Sequence, residues 1–447
     1  MGVMLKAEPN ARRPQRKSKP TRPSGRRPRS RAVIGALDVG SDKICCMIGR
    51  RDDAGLIDVL GIGIVASQGI RAGTVVDRRA AQTAIGQAVD EAEKRAGVRL
   101  KTVTVNASSG RPRSSLHSCE IELGGREIAT GDIRHAARQA ITTESPAKRA
   151  AMHALPVDIL LDGVPCENDP SGMVADRLGI RLHLIEADEA PLRNLDACVR
   201  QNHLATEARV ASAYAASLAC LVDDEKQLGA MLIDMGAGTT SIAMWLNGAC
   251  VHTAVLSIGG NHITQDIARG LNTPRAQAER LKTVWGRALC GGINLHDDID
   301  IVAVGEDNIE ATHTISRSML VQIIQPRLDE ILELVREQAE ASGLEPICGR
   351  QVVLSGGASQ LPDMREYVAQ TLGKPVRLGR PARLKFTDGT GLPNPSASPA
   401  LVTCAGLLAY ADDPPHEVQL VTGPTDAPVT GLFDRVGQWF KEQINAD

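Results

Sequence analysis

Apolar and polar positions follow two periods along this chain. VIGALDVGSDKICCMIGR (33–50) is an apolar run, a polar break at Val39-Gly40-Ser41-Asp42 and a second apolar run, which predicts two strands joined by a tight turn. Much later, GAMLIDMGAGTTSIAMWL (229–246) repeats the pattern. Each copy ends its first strand on an Asp, follows with a Gly-bearing turn and enters another strand. Asp38-Val39-Gly40-Ser41 thus matches Asp234-Met235-Gly236-Ala237, and the repeat predicts two similar halves. A third Gly-rich turn, Ser355-Gly356-Gly357-Ala358-Ser359, follows the strand-like QVVL and leads into LPDMREYVAQTL, whose period is helical. Further helices are expected at 78–95, 189–202, 206–222, 274–285 and 318–341. Strands and helices mixed in two repeated halves indicate an α/β architecture.

The last periodic segment stands apart. In LFDRVGQWFKEQINAD, a helical spacing gathers Leu432, Phe433, Val436, Trp439, Phe440 and Ile444 into an apolar arc of about 140°, with Gln443 the polar intruder. Three of the chain's nine aromatic residues lie there, after a stretch (411–430) with four prolines that reads as a linker, and Thr430 is placed to cap the helix. A tethered helix of this kind is built to lie in a membrane interface; folding back on its own domain is the alternative. Its charges nearly cancel, so apolar burial would have to supply the binding.

Composition adds an asymmetry. The 447 residues suffice for two or more domains. Their formal net charge of −2 hides a tail, residues 1–31, with eleven Lys/Arg against Glu8. The tail is about +10 and the remainder about −12. Five prolines and few apolar residues after Leu5 predict disorder, and the absence of an apolar segment behind the charges excludes a signal peptide. Attraction to anionic lipid, contact with nucleic acid and plain solvation are all open to such a tail. The longest apolar-leaning run, VASAYAASLACLV (210–222), falls short of the roughly 20 residues that cross a bilayer. Ten cysteines without a CxxC pair or zinc spacing fit a reducing cytoplasm, and the adjacent Cys45 and Cys46 should point to opposite faces of a strand.

Glycine lets backbone N–H groups approach an anion with no Cβ in the way. Two hairpins facing each other could therefore grip a polyphosphate, with Lys43 adding a point charge. Asp38 and Asp234, at the strand ends, could hold Mg²⁺ through its waters, since that ion keeps several waters and takes few carboxylates. No GxxxxGK[ST] loop occurs. Gly61-Ile62-Gly63-Ile64-Val65-Ala66 fits GxGxxA only superficially, because Ser67-Gln68-Gly69 follows instead of a helix.

The order DVGSDKI, DMGAGTTSI, LSGGASQLPDM resembles the phosphate 1, phosphate 2 and adenosine motifs of the superfamily of actin, DnaK-type chaperones and sugar kinases. Within it, the stretches GIGIVASQGIRAGTVVDRRAAQTAIGQAVDEAE, IGGNHITQDIARGLNTPRAQAERLK and SPALVTCAGLLAY are similar to the FtsA family of bacterial cell-division proteins. The resemblance spans 32–411 and the terminal helix and leaves the tail outside. It implies an actin-like (ribonuclease H-like) duplicated fold around a nucleotide cleft. Subdomain IA would comprise 32–99, 189–229 and 381–411, an FtsA-type 1C subdomain 100–188, IIA 230–257 and 307–380, and IIB 258–306. A linker at 412–430 and a membrane-targeting helix at 431–444 would follow. It further implies that Gly40, Ser41, Asp42 and Lys43 meet the phosphates of ATP from one side and Gly236, Ala237, Gly238, Thr239 and Thr240 from the other. Gly356, Gly357 and Ala358 would flank adenosine, and Glu279 and Lys282 would contact the nucleoside, although an i,i+3 pair is also an ordinary solvated feature.

Family members bind ATP with Mg²⁺, hydrolyse it weakly, polymerise like actin and tether the tubulin-like FtsZ to the inner membrane. The resemblance thus implies FtsZ (through IIB), a second copy of the chain, later division proteins (through 1C) and lipid as partners, at the cytoplasmic face of the division site. Asp234 is the candidate general base by analogy alone. A chaperone would need a peptide-binding domain after Tyr410, where 37 residues follow, and a sugar kinase has no use for a linker and amphipathic helix. A pilus-assembly or other actin-like ATPase scaffold is the neighbouring alternative.

Overall fold

The computed structural model describes residues 32–52, 55–142, 148–166, 169–290, 297–302, 312–382, 384–386 and 394–415. The basic tail, the linker beyond 415 and the amphipathic segment with Leu432, Phe433, Val436, Trp439, Phe440 and Ile444 lie outside the described residues.

Two sheets repeat one plan. The first runs Ala205–Ala211, Thr102–Ala107, Val33–Val39, Lys43–Arg51, Ile57–Ala66, with Leu384–Phe386 added at the last edge. The second runs Val376–Leu378, Val352–Ser355, Ala230–Met235, Thr240–Leu246, Ala249–Leu256. In each, three antiparallel strands form a meander, and the first of them also pairs in parallel with a later strand. The hairpin registers coincide as well: Val39 faces Ile44 in one and Met235 faces Thr240 in the other. This is the duplication read from the two DxG turns, now in backbone.

Between the sheets lie two helices, Ser212–Cys220 and Val402–Asp412, buried on almost every side and therefore without the one-sided apolar stripe of a surface helix. Their close approach depends on Gly406, where a Cβ would run into the carbonyl oxygen of Ala215. Each sheet's outer face is covered by helices whose ends the sequence marks. Arg78–Ala96 begins at Asp77, whose carboxylate accepts from the Arg79 and Ala80 amides, and ends at Gly97 with φ of 68°. Arg317–Ala341 begins at Ser316, whose hydroxyl accepts from the Met319 amide. Cys45 and Cys46 belong to two different cores on opposite faces of their strand, and all ten cysteines are free.

A third sheet, Arg113–Glu127, Val174–Asp188, Arg149–Leu161 and Val164–Cys166, is an insertion between the strands of the first half. One of its faces is closed by the helix Thr130–Thr142, with Ala136 and Ala140 set against Leu178, Ile180 and Leu182.

One predicted element is corrected. The helix expected at 206–222 is a strand, Ala205–Ala211, followed by the shorter helix Ser212–Cys220. The strand is claimed by parallel pairing with Thr102–Ala107, a long-range contact that overrides the helix-friendly alanines. Among the described residues, no helix is long and apolar enough to cross a membrane.

Candidate nucleotide cleft

Three turns converge on one cavity of about 440 Å³ between the two halves. The first hairpin is closed by Gly40 N donating to Lys43 O at 3.1 Å, and the second by Gly236 N donating to Thr239 O at 2.9 Å. The second is further held by the start of the helix Gly260–Gly270: Gly260 N donates to Gly236 O at 3.0 Å and Asn261 N to Ala237 O at 2.8 Å. In a trans peptide the carbonyl and the next amide point in opposite directions, so the N–H groups of Ala237 and Gly238 face away from that helix. The hairpins abut one another; a Cβ on Gly238 would collide with the Ser41 hydroxyl.

The third turn brings Gly356, at φ of 86°, under the Ala230–Met235 strand; a Cβ there would clash with the Met235 carbonyl and lie 2.9 Å from Asp234 Oδ1. Gly357, next to it, lines the cavity with nothing within 4 Å of where its Cβ would stand. Ala358 packs 3.2 Å from the Cβ position of Gly260, which joins the third turn to the helix behind the second.

Asp38 and Asp234 sit at the cavity floor in different surroundings. Asp234 is buried, with Ser355 Oγ donating to Oδ1 at 2.8 Å and Thr403 Oγ1 donating to Oδ2 at 3.2 Å. Burial raises its pKa; the two hydroxyls and Lys43 counteract. Asp38 opens on the cleft, yet the dense protein around it pushes its pKa up to about 7, with Lys43 lowering it and Asp234 raising it further. Lys43 itself is turned to the carbonyl of Ala400, at 2.8 Å.

At the helix Arg275–Val284, Lys282 Nζ donates to Glu279 Oε2 at 2.8 Å, to Thr264 Oγ1 at 2.8 Å and to Gly260 O at 3.2 Å. The pair therefore lines the cavity and is more than a solvated pair on a helix face. Of the residues expected at the site, Thr240 is the exception: its hydroxyl donates to Ile258 O at 2.8 Å, its side chain is fully buried, and it does not line the cavity. A strand residue alternates faces with its neighbour, and Thr239 takes the cleft side.

Sequence reasoning missed four participants. Asn106 Oδ1 accepts from Val39 N at 2.7 Å, which fixes the first hairpin, and Asn106 Nδ2 donates to Ser212 Oγ at 3.3 Å. Ser355 and Thr403 hold Asp234 as described. The available signal was a polar residue at the end of an apolar strand, as in TVTVN, or inside a buried apolar helix, as in ALVTCAGLL.

The arrangement is a cleft with glycine-bearing turns on its sides and two carboxylates at its floor. Among the described residues no three His, Cys, Asp or Glu side chains are grouped to hold a metal directly. Two carboxylates lining one cavity are a donor set for a hard cation that keeps its waters.

Comparison with known proteins places the chain. The family model described as "Cell division protein FtsA" matches residues 231–406, and that described as "SHS2 domain inserted in FTSA" matches 109–186. A cell division protein FtsA of Agrobacterium fabrum is 38% identical over 425 residues, covering 92% of this chain and 95% of that protein. The chain belongs to the FtsA family. The FtsA of Pseudomonas aeruginosa is 31% identical over 412 residues (91% and 97% covered), and that of Escherichia coli K12 is 26% identical over 427 residues (93% and 99%). Among solved structures, a PilM-PilN type IV pilus biogenesis complex superposes with a TM-score of 0.62 at 16% identity, covering 87% of this chain and 100% of that one. MreB5 of Spiroplasma citri bound to ADP gives 0.50 at 14% identity, covering 86% and 97%. These likenesses establish the actin-like fold, and the inserted sheet is the FtsA-type 1C subdomain.

Proposed function

We propose that this FtsA-family protein binds ATP·Mg²⁺ between its halves, polymerises on the inner membrane and anchors the FtsZ ring there through the amphipathic helix at 431–444. The convergence of two duplicated glycine hairpins, each led by an aspartate, on one cavity carries the reading. Amides of Ser41 and Asp42, beside Gly40, and of Ala237 to Thr239 take the phosphates from the two sides, with Lys43 released from Ala400 to join them. Gly356, Gly357 and Ala358 flank the adenosine with Glu279 and Lys282. Asp38 and Asp234 would hold Mg²⁺ through its waters, and the ion would supply charge neutralisation to the phosphates. Both oxygens of Asp234 already accept hydroxyl hydrogens, a setting for holding charge more than for taking a proton, in keeping with weak hydrolysis. The subdomains follow the bounds given above: IA at 32–99, 189–229 and 381–411; 1C at 100–188; IIA at 230–257 and 307–380; IIB at 258–306. FtsZ docks on IIB and later division proteins on 1C.

Burial of the six apolar residues of the terminal helix is worth on the order of 10 kcal/mol gross, largely opposed by the entropy of ordering about fourteen residues. One copy therefore binds lipid weakly, and a filament multiplies it. Co-sedimentation of the full chain with neutral-lipid vesicles tests this: ATP should increase binding, and Phe433→Glu with Phe440→Glu should abolish it while ATP binding persists. Undiminished sedimentation of that variant would remove the anchor from the account.

A further inference from the structure

The inserted 1C sheet carries two fully buried histidines on one face, and each reaches a different half of the molecule. His153 faces Ile185 across the strand pair, and His183 lies two residues before Ile185, so the two rings share that face. His153 Nε2 accepts from Ala211 N at 3.0 Å, at the point where the first half's edge strand turns into the helix Ser212–Cys220. The next residue, Ser212, lines the nucleotide cavity and is bonded to Asn106, which fixes the first hairpin at Val39.

His183 reaches the other way. Its Nδ1 lies 2.8 Å from Cys250 O, and because a carbonyl can only accept, Nδ1 carries the proton. Its Nε2 then accepts from Ser114 Oγ at 2.6 Å, and that same Oγ accepts from Thr253 N at 3.1 Å. Cys250 and Thr253 belong to Ala249–Leu256, the outermost strand of the second half's sheet, whose free edge has no strand beside it among the described residues. Two side chains of the insert thus satisfy backbone groups that a missing strand would otherwise take. The seam continues in rings: His153 meets Tyr214 of the first half edge-on at 5.1 Å, and Tyr214 stacks on Trp245 of the second half at 6.0 Å.

We propose that the 1C insert is a brace across the seam of the two halves, tied to one through His153 and to the other through the His183–Ser114 pair, and that it slows the opening of the cleft. A hinge motion that separates Cys250 and Thr253 from Ala211 must break one of these ties. A partner that displaced the insert would therefore change nucleotide release with no contact at the cleft. The effect on release rests on the nucleotide reading above; the brace itself does not.

The test uses the full chain and three variants. His183→Leu removes both bonds at similar bulk, His183→Asn keeps an N–H donor at the place of Nδ1, and Ser114→Ala removes the link to Thr253. Two readouts are taken: amide hydrogen exchange over 209–214 and 249–256, and the release rate of a fluorescent ATP analogue with Mg²⁺. The brace predicts lost protection over 249–256 and release at least threefold faster in His183→Leu, with His183→Asn close to wild type. A folded His183→Leu protein with unchanged release, and exchange altered only inside the insert, overturns it. If the wild type binds no analogue, the nucleotide reading fails, and the exchange over 249–256 alone decides the brace. If His183→Leu does not fold, Ser114→Ala is judged by the same two outcomes.

Discussion

The aspartates at 38 and 234 occupy twin positions in twin hairpins, yet the protein treats them differently. Both end the first strand of a meander, and both face the second strand of the hairpin, at Cys45 and Ser241 respectively. Asp234 receives one hydroxyl from its own half, Ser355, and one from the opposite half, Thr403. Only burial, Lys43 and Asp234 act on Asp38, whose pKa stands at about 7. Duplication has kept the backbone and let the polar surroundings diverge. Asp234 is a structural bond between the halves, whereas Asp38 has only Lys43 to set against the burial of its charge.

The largest separation of the two comes from truncating Asp234. Asp234→Ala leaves the buried Ser355 and Thr403 hydroxyls without their acceptor, at a cost of about 1–3 kcal/mol for each unsatisfied group, which outweighs the relief of the carboxyl's own burial because both its oxygens are hydrogen-bonded. Chemical denaturation should show the loss, together with loss of ATP·Mg²⁺ binding. Wild-type stability in Asp234→Ala would make the two aspartates equivalent after all.

Asp38→Asn should act with the opposite sign. With its folded pKa raised, the wild-type carboxyl adds stability below about pH 4, and this is lost as pH rises through 7. At pH 8 the nucleotide-free Asn variant should therefore be more stable, by about 1–3 kcal/mol given that Asp38 is partly exposed. Denaturation at pH 5 and pH 8 checks it: the gain should be larger at pH 8, and an equal change at both would contradict the raised pKa.

A sharper probe is Thr403→Val, which removes only the hydroxyl from the opposite half. It should cost about 1 kcal/mol and raise the Asp234 pKa further, while Ser355→Ala acts within one half alone. If domain opening, followed by hydrogen exchange across the cleft, responds to both variants equally, the inter-half role of Thr403 is wrong.

An effect of similar size, away from the twin sites, belongs to His183. Burial holds its pKa down to about 3, against the pull of its bond to Cys250 O, with His252 and His153 lowering it further. The unfolded state takes up a proton below pH 6.5 that the folded state refuses, so stability is complete above that pH and falls below it. At pH 5.5 the loss should be about 1.4 kcal/mol. His183→Asn should remove this part of the acid slope, and an unchanged slope would place the histidine in a wetter setting.

Much of this site was legible because it is local. Each hairpin, its aspartate and its glycines lie within a few consecutive residues, and the duplicated spacing marks them twice. The shell around them was not legible, because it is assembled across the chain: Thr403 reaches Asp234 over 169 positions, Asn106 reaches Val39 over 67, and Lys43 reaches Ala400 over 357. Thr240 misled because DMGAGTTSI does not say where the turn ends and the strand's alternation begins. The 206–222 segment misled because its alanines favour a helix, while a parallel neighbour with no local signature claims its first part as a strand. The insert was placed by the family resemblance, but its grip on both halves depends on two histidines whose partners are backbone atoms, which no side-chain pattern encodes.

The central claim is that the converging hairpins form a nucleotide site. Gly236→Val tests it poorly, because a Cβ there would lie 2.9 Å from Thr239 O and distort the hairpin itself. Gly357 is the better position, since its Cβ would have no protein atom within 4 Å. Titration calorimetry of ATP·Mg²⁺ into wild type and Gly357→Leu, each checked for an unchanged melting temperature, measures the claim directly. Wild type should bind one nucleotide per chain, and Gly357→Leu should weaken it about tenfold or more, equivalent to about 1.4 kcal/mol or more. Equal affinity in a folded Gly357→Leu protein would mean that ATP, if it binds at all, binds elsewhere.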